Sequence, residues 1–545
     1  SAIYGSDAMA GVVNIITRRN VQGVAANVYH GQFSEGDGAR TQYDVVAGWS
    51  NDRASISVAA EHVEEKGVWA KDRGFSAYSY TDRHPDDGWT TVGQWGRIVG
   101  FKGPGCSSSR GCSYSLDRGS QPGGPDSFHL SDNTPFTGDV SNSNEQMHVQ
   151  TPIKRDSLFV NARMDLNDQI RFNTQLAYNR RTTTRQVAGY PFQSGAAGIT
   201  PMSADSWFNP FGSHHGYEHP SDVHWNRRTW EIPRVSISEL TTWQGVAAFE
   251  GSFQFVGREF DWEAGYQYNR SELEQRATGN LHKQRVADST GPSFYNPATG
   301  KVECGTPEAP IAGCKPWNPL VPYGQDDPYG LTGNGELQDW LFPEEITRGR
   351  NTTRNLFASL SGGLATLPAG ELGFALGVES RREEGRFIPD ALAQTGATTN
   401  LAAGPTGGGY RVDEAYLELS VPLLHDLPGA RQLTLDAATR YSDYTTFGGT
   451  LNSKFGVSWK PIDQLLVRGT WAQGFRAPTI ANLYGGGSQT FTTGFRDPCD
   501  TVYGAAASSP EVRARCAADI ANADSYRQLG QGNEPITGSS GQTPL

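Results

Sequence analysis

Between residues 181 and 240 the chain gathers aromatic rings, imidazoles and guanidinium groups at a density that a merely solvated loop does not need. Trp207, Phe208, His214, His215, Tyr217, His219, Trp225, Arg227, Arg228 and Trp230 are the candidate ligand-binding residues. Aromatic faces of this kind stack on sugar rings or on flat aromatic chelates, and adjacent arginines suit an anionic group. The competing reading is that the same rings build a small core for the loop itself. His214, His215 and His219 are close enough in sequence to converge on a metal ion, but such a run is more often surface decoration, and no metal site is expected.

Other stretches that suggest chemistry lose it on inspection of their spacing. Glu35-Gly36-Asp37, Asp86-Asp87, Asp326-Asp327 and Glu344-Glu345 lack the calcium-loop pattern and read as solvated loop positions. Gly407-Gly408-Gly409 has no strand-to-helix context for a phosphate cradle. There is no GxSxG, HExxH or Walker string, so the expectation is a protein that is not an enzyme, with no catalytic residue and no cofactor. The six cysteines fall into close pairs, Cys106/Cys112, Cys304/Cys314 and Cys499/Cys516, each inside a long polar stretch and none in an expected strand. Three local disulfides in an oxidising compartment are expected; zinc is the alternative, but neither CxxC spacing nor a companion histidine is present.

The elements that must position these groups follow from composition and periodicity. The chain has 545 residues and a net charge of −12, with 46 basic side chains against 58 acidic ones and no basic tract, so a nucleic-acid partner is excluded. Glycine, at 65 residues, is abundant, yet the 36% hydrophobic content supports a core, so disorder does not account for the composition. No run approaches the roughly 18 apolar residues of a membrane-spanning helix. The chain opens at Ser1 without an initiator methionine and stops in a polar run, and it reads as a fragment of something longer.

Periodicity is two throughout. Leu158, Val160, Ala162, Met164 and Leu166 alternate with Asn161, Arg163 and Asp165, and after Asn167-Asp168 the pattern returns in Ile170, Phe172, Thr174, Leu176 and Tyr178. Similar segments place strands near 24–33, 42–50, 54–63, 157–166, 169–180, 241–256, 258–271, 352–362, 371–382, 411–422, 431–442, 450–460 and 464–473. They run about 9 to 13 residues, and ten residues tilted by about 45° climb roughly 24 Å, the height of an apolar membrane band. Tyr29, Trp49, Tyr178, Tyr268, Tyr441, Trp459 and Trp471, near strand ends, suit interfacial girdles.

Connections alternate. Short turns at 51–53, 167–168, around Gly257, at 363–370, 424–430 and 461–463 separate long loops at 64–156, 181–240, 272–351, 383–410 and from 474 onward. All turns therefore lie at one end and all loops at the other, as in transmembrane antiparallel β-barrels.

Two motifs give the pattern a family. The string SAIYGSDAMAGVVNIITRR, with Gly5, Gly11 and Asn14, resembles the end of the plug domain of TonB-dependent outer-membrane receptors. LLVRGTWAQGFRAPTIANLYG, from Leu465 to Gly485, resembles that family's strand and loop-start segment through Gly474, Phe475, Arg476 and Pro478. The resemblance implies an all-β protein, with residues 1–20 as the plug end and 21–545 as the first part of a 22-stranded barrel. It also implies a bacterial outer-membrane location, a monomer and partnership with TonB through a missing N-terminal segment. The implied function is energised uptake of a scarce, bulky ligand, a ferric siderophore by family default. Oligosaccharide uptake and a passive porin-like barrel are the alternatives. Haem fits poorly, because no histidine follows Phe475 and Asn533-Glu534-Pro535-Ile536 departs from the NPxL element of haem receptors.

Overall fold

The alternation of apolar and polar residues produces one antiparallel sheet of 13 strands, each paired with its neighbours in chain order. The computed structural model describes residues 17, 21–194, 201–491, 497–501, 504–520 and 522–526, with the backbone of 535–539. The strands are β1 (Gly23–Gly31), β2 (Arg40–Ser50), β3 (Ala54–Glu65), β4 (Ile153–Asp165), β5 (Ile170–Val187), β6 (Arg234–Phe255) and β7 (Arg258–Thr278). They continue as β8 (Glu345–Leu367), β9 (Gly370–Ile388), β10 (Thr406–Leu427), β11 (Ala430–Tyr444), β12 (Gly448–Ile462) and β13 (Leu465–Ala472). Each matches one of the thirteen expected segments.

Register carries the alternation from strand to strand. Leu176 pairs with Gly245, Ala247 with Tyr266, Tyr266 with Leu356, Leu360 with Leu376, and Leu376 with Leu417, which makes one continuous apolar face. Its large side chains are exposed, among them Leu176, Trp243, Leu356, Val378, Leu451 and Trp471, and none of the described residues covers them. The opposite face carries Asn161, Gln175, Glu250, Glu263, Glu414 and Arg440. Of the aromatics proposed as girdle residues, Tyr29 lies on this polar face: it pairs with Gln42, one residue out of phase with Val28.

Turn chemistry sets the phase. In the β2–β3 turn the Asn51 side chain accepts from the backbone N–H of Arg53 and Ala54, and in the β4–β5 turn Asn167 accepts from Gln169 and Ile170. These are two copies of one Asx turn. The β6–β7 turn is Val256-Gly257, both with positive φ, the backbone that a two-residue hairpin of matching twist requires.

The strands are longer than expected, up to the 23 residues of β8. Stretches read as turn or loop are strand: β8 and β9 close to a two-residue connection at Pro368-Ala369, and β10 continues to Leu427. The long loops shorten accordingly, to 66–152, 188–233, 279–344 and 389–405. Hydrophobic alternation stops where the outward side chains become charged, but backbone pairing does not, because cross-strand ion pairs such as Arg180 with Glu239 and Arg348 with Glu274 replace apolar contacts.

Candidate functional site

The three longest loops fold together at one end of the sheet. The first supplies strands Arg97–Phe101, Cys112–Leu116 and Phe128–Leu130, the second supplies Pro191–Gln193 and His224–Arg228, and these join in one five-stranded sheet. The third adds helices Lys283–Thr290 and Gly335–Leu341. Beneath them lies the largest buried apolar cluster of the described residues, with Ile98 and Tyr114 from the first loop, Phe192, Phe211 and Trp225 from the second, and Trp317, Leu320 and Leu337 from the third. A two-sided sheet with lipid-like exposure on one face has no core of its own, so the loops build one above it.

This core decides the fate of the candidate ligand residues. Trp225 is fully buried, stacked on Phe192 at 4.6 Å and edge-on to Trp317 at 5.2 Å. Phe208 is buried against Tyr329, and Trp230 is buried as well. Arg227 is buried and ion-paired to Glu231 at 2.6 Å, while it also donates to the carbonyl of Arg228. Arg228 donates to the carbonyls of Val92 and Gly189, and burial, with Arg234 nearby, pushes its guanidinium down to about 10. These five side chains are buried within the loop assembly, the arrangement that the competing reading of a loop core describes.

Accessible members remain. Trp207 is half-buried; its ring lies 5.9 Å from Tyr295 of the third loop and 5.0 Å from His214. His214 and His219 are exposed and Tyr217 is half-buried against Phe211. His215 meets the carbonyl of Trp207 at 3.0 Å. The three histidines make separate contacts, and among the described residues no cluster of three or more His, Cys, Asp or Glu is arranged to hold a metal ion. Tyr295, which no sequence pattern singled out, completes the aromatic edge from a different loop.

The three cysteine pairs are bonded, Cys106–Cys112, Cys304–Cys314 and Cys499–Cys516. Cys112 and Cys304 lie in short strands of the loop assembly, contrary to the expectation that no cysteine would lie in a strand.

The polar face below is charged and wall-like. Arg440 bridges Glu414 at 2.8 Å and Glu379 at 2.7 Å, all three well shielded from solvent. Nearer the turns, Arg171 spans Asp165 and Glu250, each at 2.7 Å. A depression of about 590 Å³ between β9 and β13 is lined by Glu418, Asp436, Lys454 and Arg468.

Gly474, Phe475, Arg476 and Pro478 double back onto this face. Phe475 packs near Tyr444 and Phe447, beside buried Val412 and Ala477, while Arg476 is exposed. The helix Ile480–Tyr484 follows, opened by a reciprocal Thr479–Asn482 cap, and Tyr484 donates to the Gly409 carbonyl at 3.0 Å. Gly408 is required there, since a Cβ would lie 2.3 Å from the Tyr484 ring. Gly5, Gly11 and Asn14 lie outside the described residues. Thr17, of the same motif, meets Asn161 on the polar face at 3.4 Å.

Residues 317–511 match the family model described as TonB dependent receptor-like, beta-barrel. Over these residues the chain is similar to the TonB-dependent receptor β-barrel family. They run from Trp317 in the loop core through β8 to β13 and past the Phe475 segment, so the receptor barrel includes both the wall and part of its covering. No curated protein matches the chain in sequence. Among solved structures, the siderophore receptor PirA from Acinetobacter baumannii is similar at 12% identity and TM-score 0.42, covering 91% of this chain and 49% of that one. A ferric enterobactin receptor mutant from Pseudomonas aeruginosa, PfeA, is similar at 11% identity and TM-score 0.37, covering 92% and 49%. The RagAB peptide importer is similar at 9% identity and TM-score 0.36, covering 84% and 37%. The chain thus spans about half the length, or less, of these structures.

Proposed function

We propose that this chain is the wall and ligand-capturing cover of an outer-membrane receptor for TonB-energised uptake of a scarce, bulky ligand. One relationship carries the reading: a TonB-dependent receptor barrel whose apolar face is uncovered, whose opposite face is polar, and whose longest loops fold into one body at a single end. The apolar face meets lipid and the polar face lines a lumen against which a plug, ending near residue 20, packs by hydrogen bonds. TonB would act through the plug's N-terminal segment.

A ferric siderophore is the ligand class proposed first, as the family default, and the protein acts as a transporter rather than an enzyme. The accessible edge of Trp207, Tyr295 and His214, with Tyr217, His215 and His219 beside it, is the proposed capture surface, because these rings present faces or edges that the loop core has not covered. The test is calorimetric titration of the full-length receptor with a panel of ferric chelates and a panel of oligosaccharides, alongside Trp207→Ala and Tyr295→Ala. Saturable ferric-chelate binding, weakened by both changes, supports the proposal. Binding to glycans alone moves the receptor to carbohydrate uptake, and unchanged binding in both variants removes the aromatic edge from the site.

A further inference from the structure

Above the apolar band, on the same outward face, the strands that lead into the third and fourth loops carry arginine after arginine. Arg348, Arg350, Arg354, Arg382, Arg386 and Arg411 stand there against Glu384 and Asp413 on the same strands. A chain with a net charge of −12 has concentrated positive charge at one place on its surface.

Most of these cations are compensated. Arg382 pairs with Glu384 at 2.6 Å, Arg411 with Asp413 at 2.9 Å and Arg348 with Glu274 at 3.1 Å. Arg350 and Arg386 are different. They are direct cross-strand partners in the β8–β9 register, both exposed, and neither side chain has a hydrogen-bond or ion-pair partner among the described residues; Glu272, opposite Arg350 on β7, is bound to Arg270 instead. Like charges placed directly opposite one another destabilise a sheet unless an anion sits between them.

The neighbouring strand leaves room for one. β10 sets Gly407 opposite Arg386 and Gly409 opposite Glu384, so no side chain rises from it at that level. The result is a depression of about 480 Å³ bordered by Arg350, Arg382, Arg386, Arg411 and Thr445, with one carboxylate in its lining, Glu384, which Arg382 already neutralises at 2.6 Å.

We propose that this depression binds the phosphate of a phosphorylated glycolipid headgroup in the outer leaflet, with Arg350 and Arg386 as its fork. The site stands on the same face as the apolar strip of Leu356, Leu376 and Leu417, which begins past Arg354 and Ser380 farther down the strands, so a lipid whose acyl chains lie on that strip directs its headgroup toward the arginines. A free phosphate would satisfy the charge but would leave the apolar strip unused. This inference rests on the outward, lipid-facing orientation proposed above.

The full-length receptor in detergent is titrated with diphosphorylated lipid A, with its dephosphorylated counterpart and with inorganic phosphate, as wild type, as the Arg350→Gln/Arg386→Gln double variant, and as Arg276→Gln, whose charge is already met by Glu274. Lipid A is expected to bind the wild type and Arg276→Gln alike and the double variant about tenfold more weakly, a difference of about 1.4 kcal/mol. Equal binding by wild type and double variant, equal binding of the dephosphorylated lipid, or inorganic phosphate binding as tightly as lipid A would each overturn the proposal. Unchanged circular-dichroism melting of the double variant guards against misfolding, and Arg350→Lys/Arg386→Lys, which keeps the charge, is expected to recover part of the binding. Flotation of the wild type with lipid vesicles is read in parallel. A wild type that does not insert overturns the membrane reading and this proposal with it, whereas insertion with no effect of the double variant overturns this proposal alone.

Discussion

Trp225 meets Trp317 edge-on, with ring centroids 5.2 Å apart and planes at 88°, and the two residues come from different loops of the barrel. Through this pair the second and third loops share one interior, and the loop assembly is expected to unfold as a unit.

Truncating Trp225 to Ala is expected to destabilise that unit by about 3–5 kcal/mol, as for other buried aromatics. Because the sheet below does not depend on it, the change should accelerate protease cleavage and hydrogen exchange in loops 66–152, 188–233 and 279–344 while the barrel strands keep their protection. Equal loss of protection in β6 to β9 would contradict this separation.

His282 introduces a pH dependence. Its ring nitrogen accepts from the backbone N–H of Arg285 at the start of the helix Lys283–Thr290, and burial, aided by the nearby Arg285, holds it below the ordinary 6.5 despite a weaker opposing pull from Asp288. His148 in the first loop is held low by burial in the same way. For a base depressed on folding, the unfolded chain takes up more protons as pH falls through 6.5, so loop stability is complete above that pH and declines below it. Hydrogen exchange of residues 283–290 measured from pH 7.5 to 4.5 should show falling protection, and His282→Asn, which keeps an acceptor at the cap, should flatten the curve.

Arg440 separates two carboxylates. Glu379 and Glu414 are directly opposed in register on the polar face, and the guanidinium binds both. Arg440→Met is expected to cost about 3–5 kcal/mol in urea unfolding, since buried Glu414 and half-buried Glu379 both lose their partner. Adding Glu414→Gln should restore a large part of the loss, and strict additivity of the two changes would refute the coupling.

The β6–β7 turn carries a β-branched residue in left-handed backbone, Val256 at φ 51°, followed by Gly257 at φ 70°. Val256→Asn replaces it with the pairing that such a turn favours. A gain of about 0.5–1 kcal/mol is expected in reversible unfolding, with no change in ligand affinity, since the turn lies at the end remote from the loops.

Much of the wall was legible because its signals are local. Leu158 to Tyr178 alternate through a turn marked by Asn167, and a period of two read off neighbouring residues settles which face each side chain takes. Each disulfide closes a short stretch of one loop, so the pairs could be read from spacing. Strand ends are not legible where the outward residues turn charged, as in Glu345 to Asn351, because there the pairing rests on cross-strand partners and not on any pattern within one strand.

The sequence by itself determined the alternating strands, the single end that bears the loops and the motif around Phe475. Only the tertiary structure decided that Trp225, Arg227 and Arg228 face inward, that Tyr295 joins Trp207, and that Arg350 stands opposite Arg386. The reason is that periodicity reports how a residue relates to its own strand, whereas burial in a loop and the juxtaposition of charges depend on segments remote in the chain, whose meeting no local pattern encodes.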